Sequence, residues 1–328
     1  ESYGQGGSCE ESFFRTYHNS FIIADPTSAW IVEAAGHRWA ARRVRDRAAI
    51  GNLLTIGTDY DDVSGGLIEH AAEAGFATAP FDFAASYRDP EANLTTRVCR
   101  LDRARTILGS HAGKIGVADM TALLSDHNGR DLPERAEPLP TLCMHGCPGL
   151  PGETAASMVA HLKPGRPREL TATVWTAFGS PCLSVYRPVY PFAVGLPGHL
   201  DDGASTYAAS SPWWTFGRLQ RIVAAGPPLA ARVRPALQAL QAAFFVDAAS
   251  AEADAAALIA AGSVDDARAQ LRRLVDDTTA RALALAEELT QSLLADAPFD
   301  ANPVMTAFWT ELNENVRLDL PVPASARS

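Results

Sequence analysis

The sequence predicts an α+β fold, in which a sheet-rich part is followed by a helical part. Short β-rich runs separated by turn residues follow one another between residues 19 and 56, a spacing typical of an antiparallel meander. After Ser211 the chain becomes rich in Ala and Leu, and from Ser263 its apolar residues recur at helical spacing. The expected parts are a sheet-rich part at 1–210, a helical part at 211–320 packed on the same core, and a tail at 321–328.

The meander is predicted to contain four strands. Pro26 occupies the second position of a turn at 25–28, where its fixed φ favours chain reversal, and turn initiation is a sufficient role for Asp25. The first two runs are almost continuously apolar, which favours a sheet covered on both faces. The predicted strands are 21–24, 29–33, 38–44 and 49–56.

Short helices, a loop and short strands are predicted for the middle of the chain. Residues 66–74 and 97–108 combine good helix formers with few breaking residues, and the second of these is typical of a surface helix. Three prolines among charged residues at 131–140 predict an exposed loop. Strand-like runs occur at 142–144, 157–162, 171–177 and 183–186.

The helical part predicts two antiparallel helices packed on a sheet. The first spans 231–261, and we expect it to be divided at Pro235 and at 247–250. The second begins at Ser263, which forms a capping-box-like pair with Asp266. One face of the second helix is expected to lie in the core. The apolar stripe on that face contains Leu271, Leu274, Val275, Thr278, Ala282, Leu285, Leu289 and Leu293.

Composition and charge restrict the class of protein. The chain has 328 residues, is 47% hydrophobic and carries a net charge of −10, from 28 basic and 38 acidic residues. This sign of charge disfavours a nucleic-acid partner. The sequence shows neither a run of about 18 apolar residues nor an export signal. Five cysteines are too few and odd in number for a disulfide framework, so we expect a soluble, cytoplasmic protein without a membrane partner.

Several local sequences resemble one protein family. They are YGQGG at 3–7, YHNSF at 17–21, IIADP at 22–26, AWIVE at 29–33, Gly36, and WAA at 39–41. The similarity weakens after about residue 60 and returns in LCMH at 142–145, in 154–159, and at Trp213 and Trp214. On these segments the chain resembles the secernin family, relatives of the cysteine-type dipeptidases among the N-terminal nucleophile (Ntn) hydrolases.

The resemblance implies a fold and a reaction. The implied fold is a four-layer αββα sandwich, with the C-terminal helices in addition. The implied reaction is hydrolysis of amide bonds in small peptides, in which the side chain of an N-terminal residue attacks the carbonyl carbon. The free α-amino group serves as the base, since its pKa near 8 lets it accept a proton at neutral pH. We expect no cofactor.

The chain departs from the family pattern at the nucleophile. The family's nucleophilic cysteine lies upstream of the segment that matches 3–7, whereas residue 1 here is Glu. We therefore expect that part of the fold, including the nucleophile, is missing from this chain. Cys9 is a weaker alternative, because it would need a cut directly before it. The missing segment or a second copy of the chain is the expected companion, along with the peptide substrate.

Asn52 is the first candidate for a catalytic role. It lies where related hydrolases place an asparagine that donates a hydrogen bond to the oxyanion, although a turn role after Gly51 explains it equally well. His18 and Asn19 precede a predicted strand and are candidates for substrate binding, with local turn capping as the simpler interpretation. Glu33, at a strand end, could bind a substrate amine, but a solvated or paired carboxylate is the favoured interpretation.

Cys143, His145 and Cys147 alternate, which in a strand would place all three on one face. Thiolates and imidazoles are zinc ligands, and a fourth ligand would have to come from His111, His127 or His161. No Cys-x-x-Cys or His-x3-His spacing is present, so the sequence predicts no metal site and a buried, structural Cys143. Trp213 and Trp214 are most simply the anchor of a helix, with an aromatic substrate wall as the alternative.

Three functions are therefore open. The first is a secernin-like dipeptidase or amidohydrolase whose nucleophile lies outside this chain. The second is a non-catalytic interaction protein that keeps the sandwich, a role that animal secernins linked to secretion would allow. The third is an Ntn acyltransferase or amidase that acts on another acyl group.

Overall fold

A computed structural model describes most of the chain and divides it into two compact units, Glu1–Ile115 and Gly116–Ser328. Helices and small antiparallel sheets occur in both units, as the predicted α+β class requires. The boundary between the units, after Ile115, lies well before the expected boundary at 210. The strands between these two positions share a core with the C-terminal helices. The described residues are 8–9, 13–16, 18–88, 95–111, 113–130, 132, 141–150, 152–195, 197–200, 205–296 and 302–320, so the tail predicted at 321–328 and most of the loop predicted at 131–140 lie outside them.

Among its described residues, the first unit contains two antiparallel sheets and three α-helices. A short hairpin precedes a four-stranded sheet in which neighbouring strands follow chain order. The hairpin strands are β1 (Ser8–Cys9) and β2 (Phe13–Thr16), and the sheet strands are β3 (Asn19–Ala24), β4 (Ala29–Ala35), β5 (Arg38–Arg43) and β6 (Asp62–Val63). The helices are α1 (Leu67–Glu73), α2 (Phe83–Tyr87) and α3 (Thr95–Ser110).

The first three predicted strands of the meander are confirmed. Asn19 pairs with Ala34 and Ala24 with Ala29 across β3 and β4, so the register closes on the predicted turn. The Asp25 carboxylate accepts hydrogen bonds from the backbone N–H and the hydroxyl of Thr27, both at 2.7 Å. Turn initiation therefore accounts for Asp25, as the sequence indicates.

The predicted strand at 49–56 is wrong, since this segment forms only an isolated bridge between Gly51 and Leu53. The fourth strand of the sheet is β6 instead. The physical reason is Glu33, whose buried carboxylate accepts hydrogen bonds from the backbone N–H groups of Thr55 and Ile56 at 2.6 and 2.8 Å. These donors are thereby satisfied by a side chain rather than by a neighbouring strand.

The expectation of a sheet covered on both faces does not hold for β3 among the described residues. Phe21, Ile22 and Ile23 are all exposed, and β3 is the edge strand of its sheet. The apolar run in β3 therefore reflects high β propensity without burial. The core of this unit lies instead between β4, β5 and the first two helices, and contains Ile31, Ala35, Ala40, Leu54, Ile56, Leu67, Ala71, Phe81, Phe83 and Ala84.

The second unit combines one three-stranded antiparallel sheet with five α-helices among its described residues. The predicted strands at 157–162 and 171–177 are confirmed, whereas 142–144 forms bends and 183–186 precedes the last strand. The strands are β7 (Ala156–Leu162), β8 (Ala172–Phe178) and β9 (Arg187–Val189). The helices are α4 (Val117–Leu124), α5 (Pro212–Ala225), α6 (Ala230–Ala260), α7 (Val264–Ala295) and α8 (Pro303–Asn315).

The predicted division of α6 is wrong, because the helix runs unbroken for 31 residues. Pro235 lies on an exposed position of the helix. Asp247 does not break the helix but forms a salt bridge at 2.8 Å to Arg281 of the neighbouring α7. The start of α7 after Ser263 is confirmed, although the Ser263 side chain makes no capping hydrogen bond. A long Ala-rich segment thus stays helical where packing on a second helix supports it.

The core of the second unit lies between its sheet and its helices. Trp175 and Ala177 of β8 pack in one cluster with residues of α5, α6 and α7. The predicted stripe of α7 is buried or partly buried, its later residues in this core and Leu271 and Val275 in a second cluster with Tyr190. No helix in the described part of the chain combines the length and apolar character needed to cross a membrane.

Candidate functional site

The predicted oxyanion residue, Asn52, is exposed and lies in a bend between two bridged residues. Its side-chain oxygen accepts a hydrogen bond from Arg100 of α3 at 3.3 Å, and its backbone carbonyl accepts one from Arg97 at 3.3 Å. Both bonds use oxygen atoms of Asn52. Neither occupies the amide N–H₂ group that an oxyanion would need as a donor.

The predicted substrate-binding residues lie at the start of the edge strand. His18 is exposed and directly precedes β3, while Asn19 is its first residue and is half-buried. Glu33 is fully buried, and besides its two backbone donors it accepts a hydrogen bond from the Thr55 hydroxyl at 2.7 Å. The paired interpretation of Glu33 therefore describes it, and its carboxylate ties the sheet to the segment that follows Asn52.

The remaining predicted residues are placed as follows. The Trp213 indole donates a hydrogen bond to the Ala155 carbonyl at 2.8 Å, and Trp214 is buried, so this pair anchors α5 beside β7. The backbone of Cys9 lies in β1, and its side chain is outside the described part of the structure.

The structure also brings together four side chains of the second unit that can bind a metal ion. His127, Cys143, His145 and Cys182 each offer one ligand atom, and these atoms all lie within 4.8 Å of one another. The Nε2 atom of His145 lies 3.0 Å from Nε2 of His127, 3.4 Å from Sγ of Cys143 and 3.3 Å from Sγ of Cys182. We refer to these four residues as the His/Cys cluster.

Backbone hydrogen bonds hold two of the contributing segments together. The N–H of Cys143 donates to the carbonyl of Asp126 at 3.2 Å, and the N–H of Asp126 donates to Leu123 in the last turn of α4 at 3.1 Å. His127 follows directly, so its ring is placed beside Cys143. Thr154 fixes the next residue of the loop, because its hydroxyl accepts a hydrogen bond from the N–H of Met144 at 2.9 Å.

The third segment is a tight turn after β8 that carries Cys182. The side chain of Gln220 holds this turn, because it accepts from the N–H of Ser180 at 3.0 Å and donates to the carbonyls of Phe178 and Leu183 at 3.1 and 3.3 Å. Gly179 has a φ of +64°, and a Cβ atom there would lie 2.0 Å from the Gln220 amide oxygen. Only glycine fits this close approach.

The two thiols of the cluster have opposite tendencies to ionise. Burial opposes ionisation of Cys182, but hydrogen bonds from Cys143, His127 and His145 outweigh it and lower the pKa of Cys182 well below its usual range. The hydrogen bond to Cys182, together with burial, raises the pKa of Cys143. The cluster thus stabilises a thiolate, which is the form of cysteine that binds metals.

Cys147 does not belong to the cluster. It is fully buried against Met305 and Trp309 of α8. The predicted strand that would have aligned it with Cys143 is absent, since 147 and 150 form a bridged turn. Burial raises the pKa of the Cys147 thiol, as expected for an inert structural cysteine.

Sequence reasoning identified three of the four clustered residues but not their assembly. The alternation of Cys143 and His145 indicates two potential ligands and His127 is one of three possible partners, whereas no sequence pattern indicates Cys182. Cys182 is 37 residues from His145 in the chain, and no short spacing connects the two. The prediction of no metal site relied on such spacings, and only the tertiary structure shows the complete set.

A scan against models of known protein families finds no match to the chain.

Proposed function

We propose that the chain is a secernin-like amidohydrolase of the Ntn type, which cleaves amide bonds of small peptides. The observation that carries this proposal is the β3–β4–β5 meander at residues 19–43. It occupies the segment in which the resemblance is densest. The proposal assigns the nucleophilic cysteine to a segment upstream of the one that matches 3–7.

Asn52 is the proposed donor to the oxyanion in this reaction. The contact from Arg100 supports this role, because it holds the side-chain amide through its oxygen and leaves the N–H₂ group to donate, while Arg97 holds the backbone carbonyl of the same residue. Glu33 is a positioning residue, since its hydrogen bonds to Thr55 and Ile56 hold the segment just after Asn52. His18 and Asn19 are the proposed contacts to the ends of the peptide substrate.

The fold that goes with this proposal is the four-layer αββα sandwich. Antiparallel sheets with helices packed on them are the elements that such a sandwich requires, and the described residues contain elements of both kinds. The proposed setting is the cytoplasm, where a cysteine nucleophile stays reduced. The proposed reaction needs no cofactor.

The test is dipeptide hydrolysis by a protein that includes the coding region upstream of Glu1. We expect turnover with a cysteine at the processed N-terminus, and a loss of kcat of about 100-fold or more in Asn52→Ala, because removing one oxyanion donor typically costs that much. Asn315→Ala, which removes an exposed amide at the end of α8, is the matched control.

Two results would contradict the proposal. One is an upstream region that lacks any Cys, Ser or Thr able to become N-terminal, which would favour the non-catalytic interaction protein. The other is turnover of dipeptides by residues 1–328 alone, which would place the nucleophile within this chain. Selective turnover of a non-peptide acyl substrate would instead favour the Ntn acyltransferase or amidase.

A further inference from the structure

We propose that His127, Cys143, His145 and Cys182 bind a zinc ion that holds three segments of the second unit together. The site is structural. It is independent of the proposed hydrolase activity, because none of its four ligands is a residue that we assign to peptide cleavage. Its ligands come from the segment after α4, from the loop at 141–150 and from the turn after β8.

The first argument is the number of polar neighbours around one nitrogen. Nε2 of His145 lies within 3.4 Å of three other ligand atoms, those of His127, Cys143 and Cys182. A ring nitrogen has either one hydrogen or one lone pair to offer, so it can form one good hydrogen bond and not three. A cation at the centre satisfies all four groups at once, because each then points a lone pair at the ion.

The second argument is geometric. Tetrahedral zinc, with bonds of about 2.0–2.1 Å to nitrogen and about 2.3 Å to sulfur, holds neighbouring ligand atoms roughly 3.3–3.8 Å apart. The contacts to His145 measure 3.0, 3.3 and 3.4 Å, and the whole set falls within 4.8 Å. Modest side-chain movement therefore brings the four atoms around one ion.

The third argument is the choice of metal. Two imidazoles and two thiols form a mixed nitrogen and sulfur set without carboxylates, which disfavours Mg²⁺ and Ca²⁺ and suits tetrahedral zinc. With four protein ligands the coordination sphere is full, so no position remains for a substrate or a reactive water. This is why we assign a structural rather than a catalytic role.

The site is accessible to an incoming ion. His127 and Cys182 line a cavity of about 420 Å³ within the second unit, whereas Cys143 is fully buried behind them. An entry path of this kind is a requirement for loading a folded site. It also predicts that a strong chelator can remove the ion from the folded protein.

The direct test measures zinc in residues 1–328, purified under reducing conditions without chelator. We expect about one zinc ion per chain in the unmodified protein, as a single tetrahedral site requires. Cys182→Ser should raise the zinc dissociation constant by at least about 10–100-fold. Substituting a residue that only hydrogen-bonds to a metal ligand already weakens metal binding by that much. Cys147→Ser, a buried thiol outside the cluster, is the matched control and should keep its zinc.

A second measurement needs no variant and so does not depend on variant folding. Zinc is removed from the unmodified protein with a chelator and replaced by Co²⁺, which reports geometry through its visible absorption. We expect intense bands of tetrahedral cobalt together with thiolate charge transfer. Folded protein that binds neither zinc nor cobalt in this way, or that isolates with a Cys143–Cys182 disulfide and no metal, would overturn the proposal. Peptide hydrolysis is not part of either readout, so this proposal and the proposed function fail independently.

Discussion

The two units differ in how much of their structure can be predicted from consecutive residues. In the first unit the consecutive sequence is informative, since the runs predicted as the first three strands pair as antiparallel hairpins at the expected positions. In the second unit the local sequence is less informative, yet the tertiary structure brings together four side chains from three segments that can bind a metal ion. The comparison shows that consecutive residues predict strands and turns, whereas they do not predict a site whose side chains come from distant segments.

Removing the metal is the strongest way to test this difference. Binding of structural zinc contributes about 10–16 kcal/mol in small zinc domains, so even a fraction of that would dominate the stability of the second unit. A loss of roughly 3 kcal/mol lowers the Tm of a unit of this size by roughly 6–12 °C. Calorimetry with and without chelator checks this. Equal melting profiles in the two conditions would contradict a structural metal.

Replacing Glu33 tests whether its buried carboxylate stabilises the first unit. Glu33→Ala leaves the N–H groups of half-buried Thr55 and buried Ile56 without their acceptor. Each unsatisfied buried group costs about 1–3 kcal/mol, so we expect a loss of roughly 2–4 kcal/mol in the free energy of unfolding. Denaturant unfolding measures it. Glu69→Ala, an exposed glutamate on α1, is the control and should change stability little; equal effects of the two changes would refute the role of Glu33.

A smaller effect is expected from Gly179, which supports the turn that carries Cys182. Gly179→Ala places a Cβ atom against Gln220, whereas Gly165 has a similar positive φ, +72° against +64°, but nothing within 4 Å of an added Cβ atom. Both variants therefore strain the backbone in the same way. The difference between their free energies of unfolding reports the clash with Gln220 alone. We expect Gly179→Ala to be less stable than Gly165→Ala by about 1–3 kcal/mol and to hold zinc more weakly. Equal stability and zinc affinity would show that Gln220 does not position Cys182.

The smallest effect is a pH dependence at the β3–β4 turn. Hydrogen bonds from the side chain and backbone of Thr27, and then from Ser28, lower the pKa of Asp25 to about 2 from its ordinary value of 3.8. Because the folded pKa is the lower one, the contribution of this group is fully present above about pH 4 and is lost as the pH falls towards 2. Carboxyl NMR titration should find this low pKa. A value near 4 would contradict the hydrogen-bonded turn.

Particular residues show how much the sequence can predict. Asp25 and Pro26 predict a turn because all of its determinants are consecutive, and the turn forms as expected. The segment 49–56 looks like a strand by composition, but the carboxylate of Glu33, more than 20 residues away, accepts its hydrogen bonds. The unbroken α6 likewise packs along α7, a tertiary contact that no local pattern reveals, and the salt bridge between Asp247 and Arg281 joins the two helices.

The His/Cys cluster shows the same limit for a site. Cys143 and His145 are two residues apart and attract attention, but the expected strand would have joined them to Cys147 rather than to Cys182. The bend in that loop and the turn held by Gln220 decide which thiol is the neighbour. Which side chains meet in the cluster is therefore decided by the tertiary structure, whereas the strands of the first unit are determined by consecutive residues.

X-ray absorption at the zinc edge of purified residues 1–328 tests the central claim most directly. The account predicts a four-coordinate ion with two nitrogen neighbours at about 2.0–2.1 Å and two sulfur neighbours at about 2.3 Å, and loss of one sulfur neighbour in Cys182→Ser. A spectrum without sulfur neighbours, or protein without bound zinc, would contradict it.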